Sequence, residues 1–240
     1  MSGHSKFHNI KKTKDKADAQ RAKIFTKIGR EIAVAVKAGG GDPNTNSKLA
    51  DIISKAKSNN MPNDNITRSI KKALGETDNV NYDAITYEGY GPGGVAFIVE
   101  CLTDNRNRTA GDVRHLFDRA GGSLGTTGSV SFMFSNKGVI VIENNGKVSE
   151  DEVFEIAIES GAEDVVNEGE NFVVYTEPNV LSEVEKAFKD KGIEIVEASE
   201  DMIPSSFIAL TDSQAQSIEK LIDALEDLDD VQNVYHNADF

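Results

Sequence analysis

The side chains best suited to chemistry in this sequence are cationic, and they are concentrated near its N-terminus. Within the first 37 residues, ten lysines and arginines face only three carboxylates. Cations at this density attract phosphate backbones by releasing their counterions. A solvated helix face is the ordinary alternative, but the acidic remainder of the chain favours a polyanion as partner. The candidate phosphate-binding residues are Lys6, Lys11, Lys12, Lys14, Lys16, Arg21, Lys23, Lys27, Arg30 and Lys37.

A second group of cations lies between a predicted strand and a predicted helix. The segment 79–135 contains four arginines and no lysine. A helix N-terminus with exposed amides, asparagines and guanidinium groups is a good phosphate site. Thr109 is predicted to cap this helix, with Asp112 reaching back. The alternative is a loop held together by internal Arg–Asp pairs, and the sequence favours neither. The candidate residues are Asn105, Arg106, Asn107, Arg108 and Arg114.

Catalytic and metal-binding patterns are not visible in the sequence. His4 and His8 are four residues apart but have no cysteine or carboxylate partner that would suggest a metal site. Cys101 ends an apolar strand, which is typical of a core residue. No nucleophile motif or dinucleotide fingerprint is present. We therefore predict no enzyme activity, no catalytic residue, no metal and no cofactor.

The charge of the chain is strongly segregated. Residues 1–75 hold 16 Lys and Arg against 6 Asp and Glu, whereas residues 76–240 hold 10 against 34. Such asymmetry indicates an interaction segment at one end. The single cysteine suits a reducing compartment, so a cytoplasmic location is expected. The longest apolar runs are far shorter than the ~20 residues of a membrane helix, so no membrane partner is predicted.

The cationic residues near the N-terminus must be positioned by helices. Ile24, Ile28 and Ile32 share one face at helical spacing, and a stripe of Lys23, Lys27, Arg30 and Lys37 lies opposite, where it is expected to face solvent. Glycines and a proline end this helix after residue 38. Two more helices follow over 47–58 and 63–74. Residues 1–78 are thus predicted to form a basic three-helix domain.

The rest of the chain has a mixed α/β pattern. Residues 137–203 show the order β-α-β-β-α-β, which is ferredoxin-like. The flanking segments show the same order interrupted, with strands over 129–134 and 207–210. We predict an α+β fold of three domains, in which an acidic ferredoxin-like domain (136–203) is inserted into a second ferredoxin-like α/β domain (79–135 plus 204–240). Three domains in series are the alternative.

Several ordered motifs make the sequence recognisable. They are Gly3-His4-Ser5-Lys6, Arg21-Ala22-Lys23-Ile24-Phe25-Thr26-Lys27, Asn60-Met61-Pro62-Asn63, Tyr87-Glu88-Gly89-Tyr90-Gly91-Pro92-Gly93-Gly94, Thr103-Asp104-Asn105-Arg106-Asn107-Arg108-Thr109 and Gly121-Gly122-Ser123-Leu124-Gly125. Together they resemble the YebC family from the first residues to the last strand. Family members usually carry tryptophan where Phe7 stands here.

The resemblance implies a three-domain α/β protein without known catalysis. Bacterial members are described as DNA-binding transcriptional regulators. A mitochondrial relative is a translational activator of cytochrome oxidase, and bacterial relatives are linked to ribosomes stalled on proline-rich stretches.

Three functions follow from the residues and the resemblance together. The main prediction is a non-enzymatic regulator that binds duplex DNA. The first alternative is a translation factor that binds ribosomal RNA and the ribosome, because the cations are spread over separate elements and no recognition helix stands out. The second alternative is an acidic interaction module onto which the basic domain merely docks. The sequence does not indicate an oligomeric state.

Overall fold

A computed structural model describes residues 19–75 and 81–240. The first described unit is a bundle of three helices: α1 (Ala19–Gly39), α2 (Ser47–Ser58) and α3 (Asn63–Leu74). Ile28, Ile32 and Leu49 are fully buried between them, as the helical spacing predicted. The buried Asn46 amide caps α2 by accepting from the Leu49 amide, and it donates to the Ala35 carbonyl near the end of α1. The bundle is therefore fixed by a polar clasp as well as by its core.

The second unit is an antiparallel sheet covered on one face by two helices. Its elements are β1 (Asp83–Tyr90), β2 (Ala96–Thr103), α4 (Arg106–Ala120) and β3 (Ser123–Leu124), joined late in the chain by α7 (Asp212–Glu226) and β9 (Val231–His236). The sheet has the order β3-β1-β2-β9. The core between sheet and helices contains Phe97, Phe117 and Ile218, all fully buried.

The third unit is a separate antiparallel sheet with its own core. The elements are β4 (Phe134–Glu143), α5 (Glu150–Glu159), β5 (Asp164–Asn167), β6 (Asn171–Thr176), α6 (Leu181–Asp190) and β7 (Ile195–Pro204). The strand order is β5-β6-β4-β7, which is the ferredoxin-like arrangement. Phe172 and Phe188 fill the space between the sheet and the two helices.

The chain enters and leaves the third unit at adjacent positions. Strands β4 and β7 pair antiparallel, with Phe134 opposite Pro204. A unit whose ends lie side by side can interrupt a host without pulling its strands apart. We propose that the three largest buried clusters correspond to three domains, with the third inserted into the second.

The α+β class, the three N-terminal helices and the two antiparallel sheets are confirmed. Two predicted strands of the second unit differ, however. Residues 131–133 form a short 3-10 turn instead of a strand, and the strand predicted over 207–210 is reduced to β8 (Ile208–Ala209), which pairs in parallel with β10 (Ala238–Asp239). The hairpin pair β1 and β2 lies at the centre of the sheet, between β3 and β9. Among the described helices, none is long and apolar enough to cross a bilayer.

Two glycines provide a matched test of this packing. A Cβ at Gly89 in β1 would lie 2.6 Å from the Ser123 carbonyl oxygen, whereas a Cβ at Gly111 in α4 would meet nothing within 4 Å. Gly89→Ala should therefore lower the free energy of unfolding by about 1–3 kcal/mol, because backbone must move. Gly111→Ala should raise it by about 0.5–1 kcal/mol through helix propensity. Urea unfolding measures both, and equal effects would contradict the close approach of β1 and β3.

Candidate nucleic-acid interface

The cationic stripe of α1 contacts the second unit. Lys23 Nζ lies 2.8 Å from Asp227 Oδ1, and Lys27 Nζ donates to the Glu226 carbonyl at 3.0 Å. Arg30 donates to the Asp230 carboxylate and, at 2.9 Å, to the Leu102 carbonyl. The prediction that the stripe faces solvent is therefore wrong for Arg30, whose side chain is 14% exposed, and only partly right for Lys23, which keeps 37% exposure beside its acidic partner. The physical reason is that an acidic turn from the far end of the chain lies against them.

This acidic turn, residues 226–230, combines two sources of negative charge. It begins at Glu226, the last residue of α7, where unpaired carbonyls give the helix its negative end. Asp227, Asp229 and Asp230 add carboxylates at the same place. Burial lowers the pKa of Lys27, although the carboxylates of Glu226, Asp229 and Asp227 oppose this effect. The stripe thus acts as a cationic cap on α7.

Asp230 is the centre of the contact. Its side chain is 9% exposed. Arg108 Nη2 lies 2.7 Å from one carboxylate oxygen, the Thr109 hydroxyl lies 2.7 Å from the same oxygen, and Arg30 donates to the other. Burial alone would raise the pKa of Asp230, but these hydrogen bonds lower it from 3.8 to about 2. The carboxylate is therefore ionised and joins α1 to the start of α4.

The arginine loop is organised differently from the prediction. Helix α4 begins at Arg106, and Asn105 caps it by accepting from the Arg108 amide at 3.1 Å. Thr109, predicted as the cap, is buried one turn inside the helix. Asn105 takes the extended backbone conformation that a cap requires, while the Thr109 hydroxyl is used by Asp230. The cap prediction is therefore wrong.

Internal Arg–Asp pairs are present in this loop. Arg106 Nε lies 2.8 Å from Asp83 Oδ2 in an exposed pair, with the two side chains 65% and 52% exposed. Arg108 bridges Asp104 and Asp230, and these hydrogen bonds raise its pKa. Asn107 and Arg114 are exposed on α4. The structure thus brings Arg30 and Arg108 together around one carboxylate, and it leaves Arg106 and Arg114 elsewhere on the surface.

A cleft of about 320 Å³ lies where α1, α4 and the acidic turn meet. Arg30 and Arg108 line it together with Asp104, Asp112 and Asp229. Its lining is therefore of mixed charge, with carboxylates interleaved between the guanidinium groups. The charge pairs of this lining hold the two units in register. A phosphate that entered the cleft would meet carboxylates as well as guanidinium groups.

The remaining candidate cations have diverse positions. Arg21 and Lys37 are exposed, and Lys37 Nζ lies 2.7 Å from Asn81 Oδ1. Arg68 and Lys71, which the sequence analysis did not select, are exposed on α3. The candidates that lie outside the described residues are Lys6, Lys11, Lys12, Lys14 and Lys16.

A single buried carboxylate holds the glycine-rich loop that follows β3 in the second unit. Glu88 is 4% exposed and accepts backbone N–H bonds from Gly128, Val130 and Ser131 at 2.8–2.9 Å. Burial raises the pKa of Glu88, but the three amides outweigh it and lower the value. Phe132, immediately after these amides, is 75% exposed. The loop is therefore ordered from within, and it presents an aromatic ring to solvent.

The described residues contain no cluster of three or more histidines, cysteines and carboxylates with metal-binding geometry. The Cys101 thiol is buried, and burial raises its pKa to about 12. A thiol with that pKa is protonated near neutral pH and is a poor nucleophile.

The fold and the interface define a class: a three-unit α+β protein whose basic helical unit docks by ion pairs on an acidic one. Two family models match the chain. One, described as the TACO1/YebC protein N-terminal domain, covers residues 5–76, and the other, the TACO1/YebC second and third domain, covers residues 82–238. The chain belongs to the TACO1/YebC family, as the sequence motifs predicted.

Similar proteins cover the full length of the chain. A protein of Acetivibrio thermocellus is 60% identical over 99% of this chain and 98% of its own, and it is named a probable transcriptional regulatory protein. A protein of Hathewaya histolytica with the same description is 53% identical, covering 100% and 98% of the two chains. The crystal structure of a conserved hypothetical protein from Aquifex aeolicus matches with a TM-score of 0.83 and 46% identity, covering 93% and 92%.

The role of Asp230 can be tested through the pH dependence of stability. Because its pKa is lower in the folded protein than in an unfolded chain, the stability it contributes is complete above pH ~4 and lost as the pH falls toward 2. Asp230→Asn should cost about 3 kcal/mol at neutral pH and remove part of this acid dependence. Urea unfolding at several pH values measures both effects.

Asp190→Asn is the matched control, because Asp190 is exposed at the end of α6. Its unfolding should follow that of the unsubstituted protein at every pH. If Asp230→Asn and the unsubstituted protein lose stability in parallel between pH ~4 and ~2, the ionised carboxylate does not hold the interface.

Proposed function

We propose that this protein is a non-enzymatic, cytoplasmic regulator of gene expression that binds duplex DNA through its N-terminal basic segment. The observation that carries the proposal is the charge segregation: residues 1–75 hold 16 Lys and Arg against 6 Asp and Glu, and the remainder is strongly acidic. A polyanion is attracted to the first region and repelled by the second, so it can bind in one orientation. The names of the similar proteins support a regulatory role.

The candidate cations divide into those that contact the acidic turn and those that are exposed and accessible to phosphate. Lys23, Lys27 and Arg30 contact the acidic turn of the second unit, and Arg21 and Lys37 are exposed on the surface of α1. On α4, Arg106 and Arg114 are exposed, with the exposed Asn107 beside the former. We therefore assign first contact to the lysines of residues 6–16, followed by these accessible side chains. Asn105 and Arg108 support the loop by capping α4 and by binding Asp230.

Structured RNA of the ribosome is the second candidate partner. Among the described residues, the accessible candidate cations lie on α1 and α4, which belong to different units, and not on one helix that could enter a major groove. A shaped, highly charged surface such as folded RNA can meet both units at once. In that case the protein acts in translation, and its regulatory effect falls on elongating ribosomes.

The contribution of the N-terminal lysines can be measured by salt dependence. The quadruple variant Lys11, Lys12, Lys14 and Lys16→Gln should bind a fluorescent DNA duplex more weakly. The slope of log K against log salt should become shallower by up to ~3.6, since each neutralised phosphate contributes about 0.9. Anisotropy titrations at several salt concentrations provide the measurement. The matched control replaces four exposed lysines outside the basic segment: Lys147, Lys186, Lys191 and Lys220→Gln.

The control should retain the slope of the unsubstituted protein. Equal losses in both quadruple variants would mean that only total charge matters, and an unchanged slope in the first would exclude the N-terminal segment as the phosphate contact. Failure of the unsubstituted protein to bind any nucleic acid would overturn the proposed function itself.

Sedimentation of tagged protein from a DNase-treated lysate, at low and moderate salt, distinguishes the two candidate partners. The RNA partner is favoured if the unsubstituted protein migrates with ribosomes and the N-terminal quadruple variant does not. Protein that remains at the top of the gradient, together with binding to particular promoter fragments above the non-specific background, would favour DNA.

A further inference from the structure

We propose that the stripe of Lys23, Lys27 and Arg30 is a second polyanion-binding surface, and that the acidic turn 226–230 occupies it as an internal competitor of the nucleic-acid backbone. The inference rests on the proposed function, because it takes a nucleic acid as the partner. It adds to that function a second surface, which the acidic turn covers when the first two units are in contact. It also adds a mechanism that controls when this surface becomes available to the nucleic acid.

The geometry of the stripe suits a phosphate backbone. Residues 23, 27 and 30 share one helix face, and at 1.5 Å per residue the stripe extends about 10 Å along α1. The acidic turn presents three oxygen acceptors to it: Asp227 Oδ1, the Glu226 carbonyl and the Asp230 carboxylate. The first two lie at 2.8 and 3.0 Å from the lysine nitrogens, which are distances that phosphate oxygens also adopt. The turn therefore supplies hydrogen-bond acceptors to the three cations of the stripe, as a short anionic polymer would.

The contact between the two units is polar, so it can be exchanged for another polar contact. The hydrophobic cluster of the helical bundle contains only residues 24–73, and the main cluster of the second unit begins at residue 87. Between them lie ion pairs, hydrogen bonds and the Arg30 guanidinium, which stands 5.4 Å from the centre of the Tyr82 ring. An interface of this kind resembles a transient one, and its charge pairs weaken with salt.

The two ends of the contact differ in burial, which determines the order of exchange. At one end, the side chains of Lys23 and Asp227 are 37% and 70% exposed. At the other, those of Arg30 and Asp230 are 14% and 9% exposed. An exposed pair is weak, whereas a buried and hydrogen-bonded pair is costly to separate. A polyanion should therefore displace the turn from Lys23 and Lys27 first, while Arg30 keeps the units attached.

The test removes the competitor without disturbing the buried pair. Asp227→Asn with Asp229→Asn neutralises two exposed carboxylates of the turn and leaves Asp230 in place. The control, Asp190→Asn with Glu194→Gln, removes the same charge from exposed positions of the third unit. Anisotropy with a fluorescent DNA duplex, and separately with an RNA stem-loop, gives the affinities at low salt. The turn variant should bind about two- to fivefold more tightly than the control, as expected from releasing weak exposed pairs.

A second variant identifies the surface responsible for the gain. Lys23→Gln and Lys27→Gln, added to the turn variant, should abolish the gain. Hydrogen exchange of residues 23–30 in the unsubstituted protein should change when the duplex is added. The competitor model is overturned if the turn variant and the control bind alike, or if the gain survives loss of both lysines. If the unsubstituted protein binds neither probe, the proposed function fails, and this inference fails with it.

Discussion

The ionised carboxylate of Asp230 is the interaction on which the arrangement of the first two units depends. It is almost completely buried, and an unpaired charge there would be very costly, so its partners must remain in place. Those partners come from α1 through Arg30 and from α4 through Arg108 and Thr109. One residue near the C-terminus thereby fixes both the direction of the basic helix and the conformation of the arginine loop. Removing one partner from such a buried group is strongly destabilising, because it leaves the remaining charges buried and uncompensated.

This constraint changes the meaning of the basic helix. A lysine stripe on an amphipathic helix ordinarily faces water, but here the negative end of α7 and the acidic turn supply oxygen acceptors to it. The alternative in which the basic unit docks on the acidic ones and the alternative in which it binds nucleic acid are therefore compatible. In the proposed function, the cations that contact the acidic turn and the cations that bind phosphate are different parts of one segment, and the contacts with the acidic turn weaken as the salt concentration rises.

Local signals predicted the helices well and the interface poorly. Helix α2 has the predicted bounds because Asn46 and the Asn59-Asn60 turn define its ends by local chemistry. The failed strand over 129–134 has a non-local cause: Glu88 binds the amides of Val130 and Ser131, which a sheet would need. Likewise, Arg30 and Asp230 are 200 residues apart, and no periodicity connects them. Thr109 fits a capping pattern, yet a distant carboxylate decides its role. Sequence patterns describe neighbours along the chain, whereas the site is assembled by contacts across it.

The acidity of the second and third units then has a functional consequence. A nucleic acid that approaches them is repelled over most of the surface, since residues 76–240 carry 34 carboxylates against 10 cations. The accessible cations at the N-terminal side attract the nucleic acid instead, so they determine the direction from which it approaches. In the competition proposed above, phosphates that reach α1 meet the same acidic surface as a rival for the lysines, and this rivalry limits how tightly the complex forms. A limited affinity and a defined orientation would then both follow from one uneven distribution of charge.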